Sequence, residues 1–166
     1  MELVEGRLTV ADVDELVEQL DAIGDEFGAT VQAFDARYVA GRDHLERAVE
    51  LADRAIERGE NVARDRGVEI LLYAAGRRQI NRALAMGVDE GEGPAVVLVD
   101  GGDEAGAADA VRERLDIDPE PAVGVEYADE ELLREFFDVT DAERTATDAA
   151  LADLVRERVA LLEVEK

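Results

Sequence analysis

The 166 residues carry 42 acidic side chains against 18 basic ones, a net charge of −24, and are 47% apolar, enough for one core. A chain of this length buries about two-thirds of its unfolded surface. The absence of cysteine and the single histidine, His44, exclude disulfides, thiolate metal sites, cysteine nucleophiles and a multi-histidine metal centre.

Leu3 to Leu8 alternates and predicts a first strand, after which Thr9 with Asp12 has the form of a helix N-cap. A helix is predicted from Ala11 to Phe27, with Val13, Leu16, Val17, Leu20 and Ile23 on one stripe. Thr30 to Phe34 reads as a second strand. The next helix, Arg42 to Arg58, buries Leu45, Ala48, Val49, Ala52, Ala55 and Ile56 and stops at Gly59. Two shorter helices follow, Val62 to Ala75 and Arg77 to Met86, punctuated by Gly76 and Gly87. Beyond the acidic loop Asp89 to Gly93, the unbroken apolar run Ala95 to Val99 reads as a buried central strand. Ala105 to Leu115 is predicted helical, Val123 to Glu126 a weak strand and Asp129 to Phe137 a short helix. Thr140 and Glu143 offer a second capping box before a last helix with Leu151, Leu154, Val155, Val159 and Leu162 at three-and-four spacing. The expected fold is α/β of the α+β kind: a single domain over residues 1–166, with a small mixed sheet packed against several helices.

Every basic residue except Lys166 is an arginine, and nearly half of the acids are aspartates. This balance suits a halophile, because concentrated salt shortens the Debye length to about 3 Å and screens the repulsion among surface carboxylates. The acidity therefore reads as an adaptation to solvent. No basic start leads into an apolar run, and the longest apolar stretch, Ile70 to Ala75, is too short to cross a bilayer. A cytoplasmic protein with no membrane partner is expected.

Against that background Asn61 to Arg82 is anomalous: Arg64, Arg66, Arg77, Arg78 and Arg82 face only Asp65 and Glu69, a local charge of +3. Arg77, Arg78, Gln79 and Asn81 fall at a predicted helix start, where free backbone N–H groups and guanidinium forks form a seat for an anion. Arginines can grip phosphate or stack under a base, and the amides can read base edges or a ribose hydroxyl. The plainer alternative is that the arginines only pair with local acids. Tyr73, beside them, could supply a stacking face. The segment Val96 to Gly106 leaves a strand through glycines into a helix. Its Asp100, Asp103 and Glu104 would repel a nucleotide, and the lysine and hydroxyl of a P-loop are missing, so a plain turn is expected. His44 has Asp43 beside it and no nearby serine or cysteine, which fits a packing role better than a general base. Leu151, Leu154 and Val155 could form a docking stripe for another subunit, or simply the buried side of a terminal helix.

The run GVEILLYAAGRRQINRALAMGV, preceded by AGRDHLERAVELADRAIERGENVA, closely resembles the Cgi-type subunit of the archaeal and eukaryotic KEOPS complex, the family of the PRPK-binding protein. The likeness rests on Glu69, Ile70 and Leu71, on Arg78, Gln79 and Ile80, on the Gly87 helix stop and on the strand Ala95 to Val99, and it fades over Asp100 to Glu120. The resemblance implies a non-catalytic subunit without cofactor or metal that binds the Bud-type kinase/ATPase subunit and, through it, serves the Kae-type transferase. That assembly installs threonylcarbamoyl on the adenosine next to the anticodon. The resemblance also implies tRNA recruitment through the 3′ CCA end, which places Arg78, Gln79 and Ile80 in the RNA pocket. Arg64, Tyr73, Arg77, Asn81 and Arg82 are nominated by charge and proximity. Where many members have a small hydroxyl residue shortly before the glutamate, this chain has Gly67 and Val68. The competing expectations are a protein-only adaptor of the kinase subunit and a small enzyme using carboxylates near Gly101 and Gly102.

Overall fold

A computed structural model of the chain describes residues 1–76, 83, 86–124, 126–140 and 151–165. The chain divides into two compact units, Met1–Ala36 with Gly87–Ala122, and Arg37–Met86 with Val123–Lys166, each assembled from two separate stretches of sequence. The class is α+β.

The first unit holds the sheet. Strands β1 (Glu2–Val10), β2 (Thr30–Asp35), β3 (Gly91–Asp100) and β4 (Ile117–Pro119) lie in the order β2-β3-β1-β4. All three pairings are antiparallel, so the expected mixed sheet is corrected to a purely antiparallel one. Residues Ala95 to Val99 do form a central strand, each at most 1% exposed, with β1 on one edge and β2 on the other. The alternation of β1 then has its reason. Val4, Leu8 and Val10 join Val97, Val99 and the apolar stripes of α1 (Val13–Phe27) and α4 (Glu104–Arg114) in one core. Each such aliphatic side chain contributes about 1.5–3 kcal/mol by leaving water.

Local chemistry sets the ends of these elements. Asp12, not Thr9, caps α1: it is extended, and its carboxylate accepts the N–H groups of Asp14 and Glu15 at 2.9 and 3.2 Å. Thr9 cannot do so because it is still paired in β1, donating its N–H to the Asp116 carbonyl. The turn after α1 uses Gly28 at φ 65, a left-handed conformation that a side chain would strain. Strand β4 is absent from the pattern reading because three residues ending in proline show no alternation. Among the described residues of the predicted strand Val123 to Glu126, none is in a strand; Gly124 takes φ 138 and its carbonyl accepts the N–H groups of Tyr127 and Ala128, a turn.

The second unit is helical. It contains α2 (Arg42–Glu57), α3 (Arg66–Ala75), α5 (Glu130–Phe136) and α6 (Leu151–Glu165). Helix α3 starts four residues later than its apolar pattern suggests, because Asp65 adopts the extended cap conformation and accepts the Val68 N–H at 3.0 Å. The predicted helix Arg77 to Met86 and the cap at Thr140 and Glu143 fall largely outside the described residues. Ala83 and Met86 are buried.

Candidate nucleic-acid interface

Helix α3 is the centre of the second unit. Gly67 and every residue from Glu69 to Ala75 are buried, as its nearly continuous apolar sequence requires. Glu69 is the exception in kind. It is 0% exposed, and its two carboxylate oxygens accept the Val62 N–H at 3.0 Å each, while Oε1 also accepts the Ala63 N–H at 3.3 Å. A charge so placed is tolerated because backbone donors replace its water. The result is a loop, held across the entrance to α3, that leaves Val62 and Arg64 facing solvent. Asn61 stiffens it by donating from Nδ2 to the Ala63 carbonyl at 2.8 Å.

The arginines of this region separate into two kinds. Arg66 grips Asp53 of α2 with both ends of its fork, Nε to Oδ1 at 2.7 Å and Nη2 to Oδ2 at 2.9 Å. It therefore ties α3 to α2. Arg64 is exposed and makes no hydrogen bond or ion pair among the described residues. Arg77, Arg78, Gln79, Ile80, Asn81 and Arg82 lie outside the described residues. Tyr73 is corrected: it is 0% exposed in the interior of α3, so its ring offers no face for a base to stack on. Its place follows from α3 being apolar all round, a pattern that buries a tyrosine as readily as a leucine.

The helix ends at Gly76, which takes φ 61 and donates its N–H to the carbonyls of Leu72 and Tyr73. The neighbouring Ala74 carbonyl accepts a hydrogen bond from His44 Nε2 at 2.7 Å, while His44 Nδ1 accepts the Ala40 N–H at 3.1 Å. Both ring nitrogens are thus engaged and the imidazole is 1% exposed. Burial pushes its pKa down to about 4, so His44 is neutral with its proton on Nε2. This is the packing and hydrogen-bonding role that the sequence suggests.

The stripe Leu151, Leu154 and Val155 is also corrected. These side chains are 6%, 3% and 0% exposed, and α6 packs on α2 and α3, so the stripe is interior to the second unit and not an open docking face. In the first unit, Asp100 and Glu104 of the turn after β3 pair with the Met1 amino group at 3.4 and 3.0 Å, and two acids of the turn also hold its backbone. Glu104 accepts the Gly101 N–H at 2.8 Å and Asp103 accepts the Gly106 N–H at 3.0 Å, capping α4. The bond from Gly101 holds the Glu104 carboxyl below its usual range.

Two features escaped the sequence reading. The clamp by Glu69 could have been suspected from an acid inside an otherwise apolar helical run; the Arg66 to Asp53 fork has no local signal, since the partners are separated by a loop.

The sequence model of a protein family described as Kinase binding protein CGI-121 matches residues 9–163, a span that includes parts of both units. No curated protein matches the chain.

Proposed function

Because the chain belongs to the CGI-121 family of kinase-binding proteins, we propose that it is a non-catalytic subunit of a KEOPS-type tRNA-modifying assembly. In this reading it binds the Bud-type kinase/ATPase subunit and recruits tRNA through the 3′ CCA end, indirectly serving the Kae-type transferase. The observation that carries the adaptor role is the family match along nearly the whole chain. The RNA role draws its support from the positive segment Asn61 to Arg82 in a chain of net charge −24, and from Arg64 standing in solvent at the entrance to α3. Arg64, Arg77, Arg78, Gln79, Ile80, Asn81 and Arg82 are the proposed contacts. Tyr73 is left out of the set.

A halophilic setting, proposed from the acid and arginine balance, constrains the mechanism. Counterion release weakens steeply with salt, so phosphate contacts alone would fail at molar salt. Stacking on guanidinium planes and direct hydrogen bonds would supply the affinity, at about 1–3 kcal/mol per stacked base. A protein-only adaptor is the second reading. It is favoured by the engagement of Arg66 with Asp53 and by the burial of Tyr73, which together remove a cation and a ring from the surface. Co-purification of the chain with the kinase subunit, with and without tRNA, separates the two. Capture of kinase and of tRNA supports the first reading, capture of kinase alone supports the second, and capture of neither contradicts both.

A further inference from the structure

With 42 acids to 18 bases, an arginine on this surface has partners to hand. Among the described residues every arginine except Arg64 is engaged by a hydrogen bond, an ionic interaction or an aromatic ring. The two acids of its own segment are both turned to the backbone. Asp65 accepts the Val68 N–H at 3.0 Å as the cap of α3, and Glu69 accepts the N–H groups of Val62 and Ala63. Arg64 is exposed, and its five N–H donors are left for a group outside the chain.

Two residues earlier stands Val62, an apolar side chain that is 48% exposed. A lone valine on a surface needs no explanation, but this one is held where it is. Ala63 between them is 6% exposed, so the loop turns one small side chain inward and presents its two neighbours outward. The Cα atoms of residues two apart lie within about 7 Å of each other, so the isopropyl and the guanidinium share one patch. Glu69 takes the N–H groups of Val62 and Ala63, and Asn61 Nδ2 binds the Ala63 carbonyl at 2.8 Å. The backbone that carries the pair is therefore fixed before any ligand arrives, which lowers the entropy lost on binding.

We propose that Val62 and Arg64 form a two-point grip for one unpaired nucleotide of an RNA end, with Glu69 as its positioning residue. This rests on the reading of the positive segment as the tRNA contact. The valine gives a base an apolar face that does not distinguish one base from another, and the guanidinium fork takes the attached phosphate with two parallel bonds. The apolar half of the grip does not depend on charge and survives screening at molar salt. Glu69 touches no RNA and acts through Val62 and Ala63.

The test measures affinity of the full chain for tRNA ending in CCA and for the same tRNA truncated before it, in molar potassium chloride. Val62→Ser removes the apolar face, and Arg64→Lys keeps the charge but loses the fork. Each is expected to weaken binding of the intact tRNA about fivefold, the lower end of the range for one stacked base, and to leave the truncated tRNA, the kinase affinity and the melting temperature unchanged. Glu69→Gln is expected to weaken the intact tRNA to a similar extent without changing kinase affinity. Adding Val62→Ser to it is expected to remove less than about twofold more, because a grip already out of place has little left to lose. The proposal is overturned if the wild type prefers the intact tRNA while Val62→Ser and Arg64→Lys bind it as tightly as the wild type does. Losses that fall equally on both tRNAs overturn it as well, and effects of Glu69→Gln and Val62→Ser that simply multiply overturn the positioning role. A wild-type chain that does not distinguish the two tRNAs contradicts the underlying reading of the segment, and the grip falls with it.

Discussion

Both carboxylate oxygens of Glu69 lie 3.0 Å from the Val62 amide nitrogen, so an acid in the interior of α3 holds the loop that leads into the helix. Glu69→Gln keeps the shape and an acceptor oxygen but gives up the charge, and is expected to cost about 1–2 kcal/mol. Glu69→Ala leaves the Val62 and Ala63 donors without that carboxylate and is expected to cost about 3 kcal/mol or more. Urea denaturation measures both, and exchange at Val62 and Ala63 reports the loop. Losses below about 0.5 kcal/mol for both variants would contradict the clamp.

His44 makes stability depend on pH with a definite sign. Its folded pKa of about 4 lies below the ordinary 6.5, so between these values the unfolded chain binds a proton that the folded chain refuses. The contribution is fully present above pH 6.5 and declines as pH falls toward about 4, on the order of 2–3 kcal/mol in all. Protonation of the many carboxylates relieves repulsion over the lower part of the same range and acts in the opposite direction. The difference between the wild-type and His44→Gln stability curves isolates the histidine. That difference is expected to shift against the wild type on acidification below pH 6.5, and parallel curves would contradict the assignment.

Gly6 lies in β1 opposite Pro119, and a Cβ there would run into the Asp118 carbonyl and lie 2.8 Å from the Ile117 side chain. Gly6→Ala is expected to unseat β4 and cost about 2 kcal/mol or more, whereas Gly93→Ala, a strand glycine with open space around it, is expected to be close to neutral. Thermal melts of the two variants give the comparison. Equal stabilities would show that β4 is free to move aside.

Much of this architecture is legible in the residues because single-element patterns encode it. The alternation of β1, the apolar run Ala95 to Val99 and most of the stripes of α1 and α2 depend only on period and burial, whereas Val17 and Ile56, expected on those buried faces, are 47% and 38% exposed at the margins of the stripes. What fails to show are relationships between elements. The antiparallel sense of the sheet depends on how the strands are connected in space, and β4 exists only because Gly6 allows it to approach. Asp12 displaces Thr9 as the cap because the strand before it runs on. At the site, sequence marks out the arginine segment by its contrast with the rest of the chain, yet a tyrosine in an apolar helix looks the same whether its ring is open or covered. The Leu151 stripe was ambiguous for a related reason: amphipathic spacing reports a buried face without saying what buries it.

The central claim is that the segment from Arg64 to Arg82 holds the unpaired end of a tRNA. The most direct measurement is the affinity of the chain for tRNA ending in CCA and for the same tRNA truncated before it, in potassium chloride from dilute to molar, with Arg77→Glu/Arg78→Glu as the control. The account predicts that the intact tRNA binds more tightly than the truncated one, with a salt dependence shallow enough for binding to survive at molar salt, and that the double reversal abolishes binding without lowering the melting temperature. Equal binding of the two tRNAs, or undiminished binding by the double variant, would contradict it and leave the kinase-binding adaptor role alone.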